Sequence, residues 1–80
     1  MITKEKIKAA ASIIVDDLKI GGQANLCDAQ ILGDFIRTAF QLTDTSINNV
    51  AQEIHDQKTN GNEDFFTKKS IRNFLRDRLA

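Results

Sequence analysis

The residues whose types and spacing suit chemistry lie at the end of the chain, in Thr67-Lys68-Lys69-Ser70-Ile71-Arg72-Asn73-Phe74-Leu75-Arg76-Asp77-Arg78-Leu79. Lys68, Arg72 and Arg76 recur at intervals of four, which on a helix stacks them in one row, with Lys69 and Asn73 beside it and Arg78 beyond. Such a set suits a polyanion. Lysine and arginine pair with phosphate oxygens, arginine forks onto a guanine edge, and asparagine forks onto adenine. The same charges also fit a plainer reading: a solvated face that balances an acidic remainder and complements the negative C-terminal end of the helix dipole. Residues 1–66 carry six basic and ten acidic side chains, whereas 67–80 carry five basic and one acidic. A net charge of zero therefore hides a basic terminus, and a nucleic-acid reading rests on that terminus alone.

No other cluster converges on chemistry. His55 is the only histidine, and Glu53 and Asp56 stand at offsets that do not share its helix face, so it reads as a surface or capping residue. Cys27 is the only cysteine; it excludes an intrachain disulfide and a multi-cysteine zinc site, and reads as a small packing residue near a helix start. Gly21-Gly22 lacks the Gly-Lys-Ser/Thr that a phosphate loop needs. Asp56 to Thr67 puts Asp56, Asn60, Gly61 and Asp64 at positions 1, 5, 6 and 9 of a calcium loop. Lys58, however, stands where a ligand oxygen belongs, Glu63 where an apolar residue packs, and Thr67 where the bidentate glutamate belongs. The expectation is a non-enzyme with no catalytic residue, no metal and no cofactor.

The elements that must position the basic row read as a compact all-α domain of four helices covering 1–80. Its size makes the core modest. Residues 3–20 form the first helix, with Thr3 as cap and Ile7, Ala10, Ala11, Ile14 and Leu18 as its apolar stripe; Ile13 and Val15 widen that stripe, and Gly21-Gly22 stops the helix. The second runs over about 26–42 from a cap at Asn25 or Asp28, with Leu32, Phe35, Ile36, Ala39 and Phe40 inward. Gly33 inside it costs about 1 kcal/mol against alanine, which points to close packing on a neighbour. Thr43-Asp44-Thr45 is a polar break and cap cluster before a third helix over about 46–56, with the stripe Ile47, Val50, Ala51 and Ile54. Residues 57–66 are the longest connector: Asn60-Gly61-Asn62 signals a turn, and Phe65-Phe66 anchors the segment, briefly extended, to the core. The fourth helix, capped by Thr67, turns Ile71, Phe74, Leu75 and Leu79 inward.

The last two helices, residues 46–79, resemble the helix-turn-helix class in pattern. A short helix with Asn48, Asn49, Gln52 and Glu53 outside precedes a basic helix with apolar anchors. The connector is about ten residues where that class has three or four. The resemblance implies a small DNA-binding protein that regulates transcription. It would touch DNA through Lys68, Lys69, Arg72, Asn73 and Arg76, with a homodimer supplying affinity. The alternative expectation is a helical protein–protein interaction module, an adaptor or inhibitor without nucleic-acid binding. Such a module would use a groove between helices or the acidic Asp16, Asp17, Asp28 and Asp34; a further reading of the same charges is head-to-tail self-association of the acidic half with the basic tail. A membrane role is not expected: the longest apolar run, Ala9 to Val15, contains Ser12 and is far short of the roughly 20 residues of a span. Lys4, Lys6 and Lys8 precede that run, but Asp16-Asp17 follow at once, so it reads as an amphipathic helix and not a signal peptide. With a single cysteine, a cytoplasmic setting is expected.

Overall fold

Local capping sets where most of the helices begin. The Thr3 hydroxyl accepts from the Lys6 amide at 3.2 Å and starts α1 (Lys4–Leu18). The Asp28 carboxylate accepts from the Ile31 amide at 2.8 Å and starts α2 (Ala29–Phe40). Before α3 (Ile47–Thr59), Asp44 accepts from the Ser46 amide at 2.8 Å, so the expected polar cluster acts through a turn whose acceptor lies two residues upstream of the cap position itself. The Thr67 hydroxyl accepts from the Ser70 amide at 3.1 Å and starts α4 (Lys68–Leu79). The computed structural model describes residues 2–18, 26 and 28–79. Gly21-Gly22, Asn25, Cys27 and the expected last residues of the first helix lie outside them.

The fold is all-α, and no strand occurs among the described residues. Helices α2 and α3 form one antiparallel hairpin, and α1 packs extensively on α4. Both pairs share one core, in which Ile14, Leu18, Leu32, Ile36, Ile54, Ile71 and Leu75 are inaccessible to solvent. Gly33 is where α2 meets α3: a Cβ there would stand 3.1 Å from the Asn48 side-chain oxygen and 3.7 Å from the Ala51 Cβ, the close approach its sequence position implied.

Several expectations change in detail. Ile13 is 46% exposed and does not widen the buried stripe, because it lies about 100° round the helix from fully buried Ile14. Helix α2 ends at Phe40: Gln41 takes the left-handed conformation (φ 55°), and the Leu42 amide closes back on the Arg37 carbonyl at 2.9 Å. Helix α3 runs three residues past its expected end and stops at the Asn60-Gly61 turn, where Gly61 has φ 71°. Asp56 is therefore inside a helix and bonded to Gln52 at 2.9 Å, not at the head of an ion-binding loop. Residues 63–65 form a 3₁₀ turn and not an extended stretch. They place Phe66 in the core and Phe65 edge-on to both Phe66 (5.2 Å) and Phe74 (5.3 Å).

That aromatic cluster carries the chain away from α3. Residues 60–67 separate α3 from α4, and α4 lies chiefly along α1. The turn-linked pair that the helix-turn-helix pattern requires is not formed, so the likeness stops at the sequence pattern.

Candidate functional site

Helix α4 has two faces. Ile71 and Leu75 are fully buried, while Phe74 and Leu79 are half-buried at its edges. The five expected contact residues come together, Lys68, Lys69 and Arg76 exposed and Arg72 and Asn73 half-buried: Lys69, Arg72, Asn73 and Arg76 line one groove, and Lys68 and Arg72 line its continuation.

The groove has a second wall that the sequence reading did not foresee. Its two parts, of about 400 and 230 Å³, run along the seam between α1 and α4 and share Lys8 and Arg72. Lys4, Ile7 and Lys8 of α1 face Lys69, Arg72, Asn73 and Arg76, and Ser12 faces the Lys68 end. Lys4 and Lys8 have the same four-residue spacing as the α4 row, and they flank the buried residues Ile7 and Ala11. Six cations thus line one surface depression, and none of its lining residues among those described is acidic.

Most of these charges are uncommitted. Among the described residues, Lys4, Lys8, Lys68 and Lys69 have no ion-pair partner. Arg72 donates through Nε to the Lys68 carbonyl at 3.3 Å, which steadies its stem and leaves its terminal nitrogens for a ligand. Arg76 has Asp77 at 3.8 Å, both well exposed at 62% and 71%; such a surface contact is weak and easily exchanged.

Arg78 does not belong to this set. Its guanidinium lies 4.8 Å from the Phe74 ring centre and is ion-paired with Glu53 of α3, on the other flank of α4. The Glu53 hydrogen bond pushes the Arg78 pKa above its ordinary value. This residue ties α4 to α3.

No family model, curated protein or solved structure matches the chain.

Among the described residues, His55 and Arg37 are engaged structurally. His55 is half-buried, and its Nε2 lies 2.9 Å from the Leu26 carbonyl, to which it donates; it is a tether and not the surface residue its sequence position suggested. A smaller polar cleft between α2 and α3 contains Arg37, which is already held by Asp34 and by the Asn48 side-chain oxygen. Asp16, Asp28 and Asp34 are exposed, as an acidic surface requires, though Asp34 is paired with Arg37. Among the described residues no group of three histidine, cysteine or acidic side chains is placed to hold a metal ion. No helix among them is long and apolar enough to cross a membrane.

Proposed function

We propose that the protein is a small DNA-binding regulator whose contact surface is the basic groove between α1 and α4. One observation carries this reading: Lys68, Lys69, Arg72 and Arg76 are joined across the groove by Lys4 and Lys8, with no carboxylate among the described lining residues. A merely solvated face would not require a second helix to add its own free cations to the same depression. The lysine and arginine heads suit phosphate oxygens, and their stems and Ile7 give the groove an apolar floor. A homodimer, as expected from the modest size of one domain, would double the charges offered to one duplex.

The test is fluorescence anisotropy of a labelled random duplex at two salt concentrations, with mass determined alongside. If all six cations engage, log K should fall against log salt with a slope of about −5, or roughly a thousandfold between about 50 and 200 mM. Replacing Arg72 and Arg76 by glutamate should abolish binding and leave the helical circular-dichroism signal intact. Unchanged binding by that folded variant would refute the reading. No binding by the native protein even at low salt would turn it toward a protein partner.

A further inference from the structure

We infer that the groove grips the sugar–phosphate backbone of a duplex without reading base sequence, and that Lys4 and Lys8 of α1 are contact residues equal in weight to the row on α4. This inference rests on the DNA-binding reading above.

The first support is width. A helix that reads bases must enter a major groove about 12 Å wide, which admits one helix of about 10–12 Å diameter. Here the cations do not stand on a lone protruding helix. They lie in the valley between two packed helices, whose axes at such a contact are about 8–10 Å apart. Side by side, the pair is about 18–22 Å across, too broad to descend to the base edges.

The second support is the order of residues round α4. The side opposite buried Ile71 and Leu75 carries half-buried Asn73, with exposed Lys69 on one side of it and exposed Asp77 on the other. Arg72 and Arg76 sit round the helix toward α1, where Lys4 and Lys8 meet them. The crest that would enter a groove thus sets one carboxylate, which phosphates repel, against one lysine, while the flank toward α1 gathers two arginines and two further lysines with no acid among them.

The third support is reach. Lys68 to Arg76 spans about 12 Å along the helix, over which one strand of a duplex presents about three or four phosphates. The row therefore matches a short run of backbone. A single strand is the less suitable ligand: sequence-independent single-strand sites stack bases on aromatic rings, and the groove is lined by none. Phe65 stands edge-on to both Phe66 and Phe74 at the other flank of α4.

The experiment uses the full chain and three probes of about 20 nucleotides or base pairs: an A·T duplex, a G·C duplex and a single strand. The native protein is compared with Asn73→Ala and with the double variant Lys4→Ala/Lys8→Ala, each checked for native circular dichroism. Both duplexes should bind within about threefold of each other, and the single strand more weakly. Asn73→Ala should change either duplex affinity by less than about twofold, because phosphate contacts carry no base preference. The Lys4/Lys8 variant should weaken both duplexes equally and flatten the salt slope by about two. A preference above about tenfold for one duplex, lost in Asn73→Ala, would overturn the inference and leave DNA binding standing. So would tighter binding of the single strand, or an unchanged slope in the Lys4/Lys8 variant. Failure of the native protein to bind any probe would overturn the DNA-binding reading and this inference with it.

Discussion

The two faces of α4 should separate stability from binding, and Leu75 with its neighbour Arg76 makes the cleanest pair of perturbations. Leu75 is fully buried, whereas Arg76 is 62% exposed in the groove. Truncating Leu75 to alanine removes apolar surface and leaves a cavity; for buried leucines the cost runs from about 2.7 to 5 kcal/mol. A chain of 80 residues is held by about 4–12 kcal/mol in total, so the loss is a large share of what keeps it folded. Arg76→Ala removes an exposed charge and a weak surface contact, so it should stay within about 0.5 kcal/mol. Urea unfolding followed by circular dichroism measures both. Binding should reverse the order. The folded fraction of Leu75→Ala keeps all six groove cations and the native salt slope, while Arg76→Ala flattens that slope by about one. Duplex at about 100 times its Kd adds roughly 2.7 kcal/mol to the folded state and should return most of the midpoint lost by Leu75→Ala. The reasoning fails if Leu75→Ala costs less than about 1 kcal/mol, since α4 would then not be docked by this residue. It fails equally if the slope of Leu75→Ala changes, or if Arg76→Ala unfolds the protein.

Three further outcomes follow from particular residues. Gln41 holds a left-handed conformation at the exposed end of α2, which a side chain disfavours by about 1–2 kcal/mol, so Gln41→Gly should raise the urea midpoint by up to about 1 kcal/mol of stability; a lowered midpoint would show that the Gln41 side chain matters more than its backbone. Hydrogen bonds from the Ser46 amide, and then its hydroxyl, hold the Asp44 carboxyl below its ordinary value of 3.8. A depressed carboxyl contributes stability above its unfolded pKa and loses it as pH falls through the folded one, so Asp44→Ala should lose less stability than the native chain between pH about 5 and about 2; parallel acid curves would remove Asp44 from that account. His55→Ala strips the donor from the Leu26 carbonyl and should cost about 1–2 kcal/mol in urea unfolding, and an unchanged midpoint would mean that the carbonyl finds water instead.

The helices were legible because each carries its own local signals. Thr3, Asp28 and Thr67 are short polar side chains just before apolar stripes, and each accepts a first-turn amide as a cap should. The stripe Ile47, Val50, Ala51 and Ile54 is buried throughout, because spacing of three and four is a local property of one helix. Helix ends were less legible. Gln41 ends α2 in a conformation usually left to glycine, so no residue type announced it. The third helix outran its apolar stripe, since Gln57, Lys58 and Thr59 hydrogen-bond along the backbone whether or not they face a core. Phe65-Phe66 was expected to anchor the connector and does so, but as a 3₁₀ turn. Two aromatic residues in succession cannot both enter a core from a straight strand, whose side chains alternate between faces.

The candidate site was half legible for a reason that applies to any groove between chain ends. The α4 row is an i, i+4 pattern and needs only its own helix to exist. Lys4 and Lys8 repeat that pattern at the other end of the chain, but nothing local says that the two rows face each other. Long-range packing decides it: Ala10 and Ala11 are small and buried on α1, Ile71 and Leu75 are buried on α4, and α1 packs on α4. Zero net charge pointed the other way, and physically it is a poor guide. At about 0.1 M salt, charges more than about 10 Å apart scarcely feel each other, so a polyanion meets the local set and not the total. What counts is that six cations share one depression with no carboxylate among its described lining residues, while Glu53 is occupied by Arg78 on the opposite flank and Asp77 makes only a weak exposed contact with Arg76. The same partition explains why Arg78 differs from Arg72 and Arg76 despite adjacent places in the sequence. A position two residues beyond Arg76 is turned about 200° round the helix, which takes it from the groove to the aromatic side. There its charge serves Glu53 and the face of Phe74, whereas the groove keeps cations held by nothing stronger than the exposed Arg76–Asp77 contact.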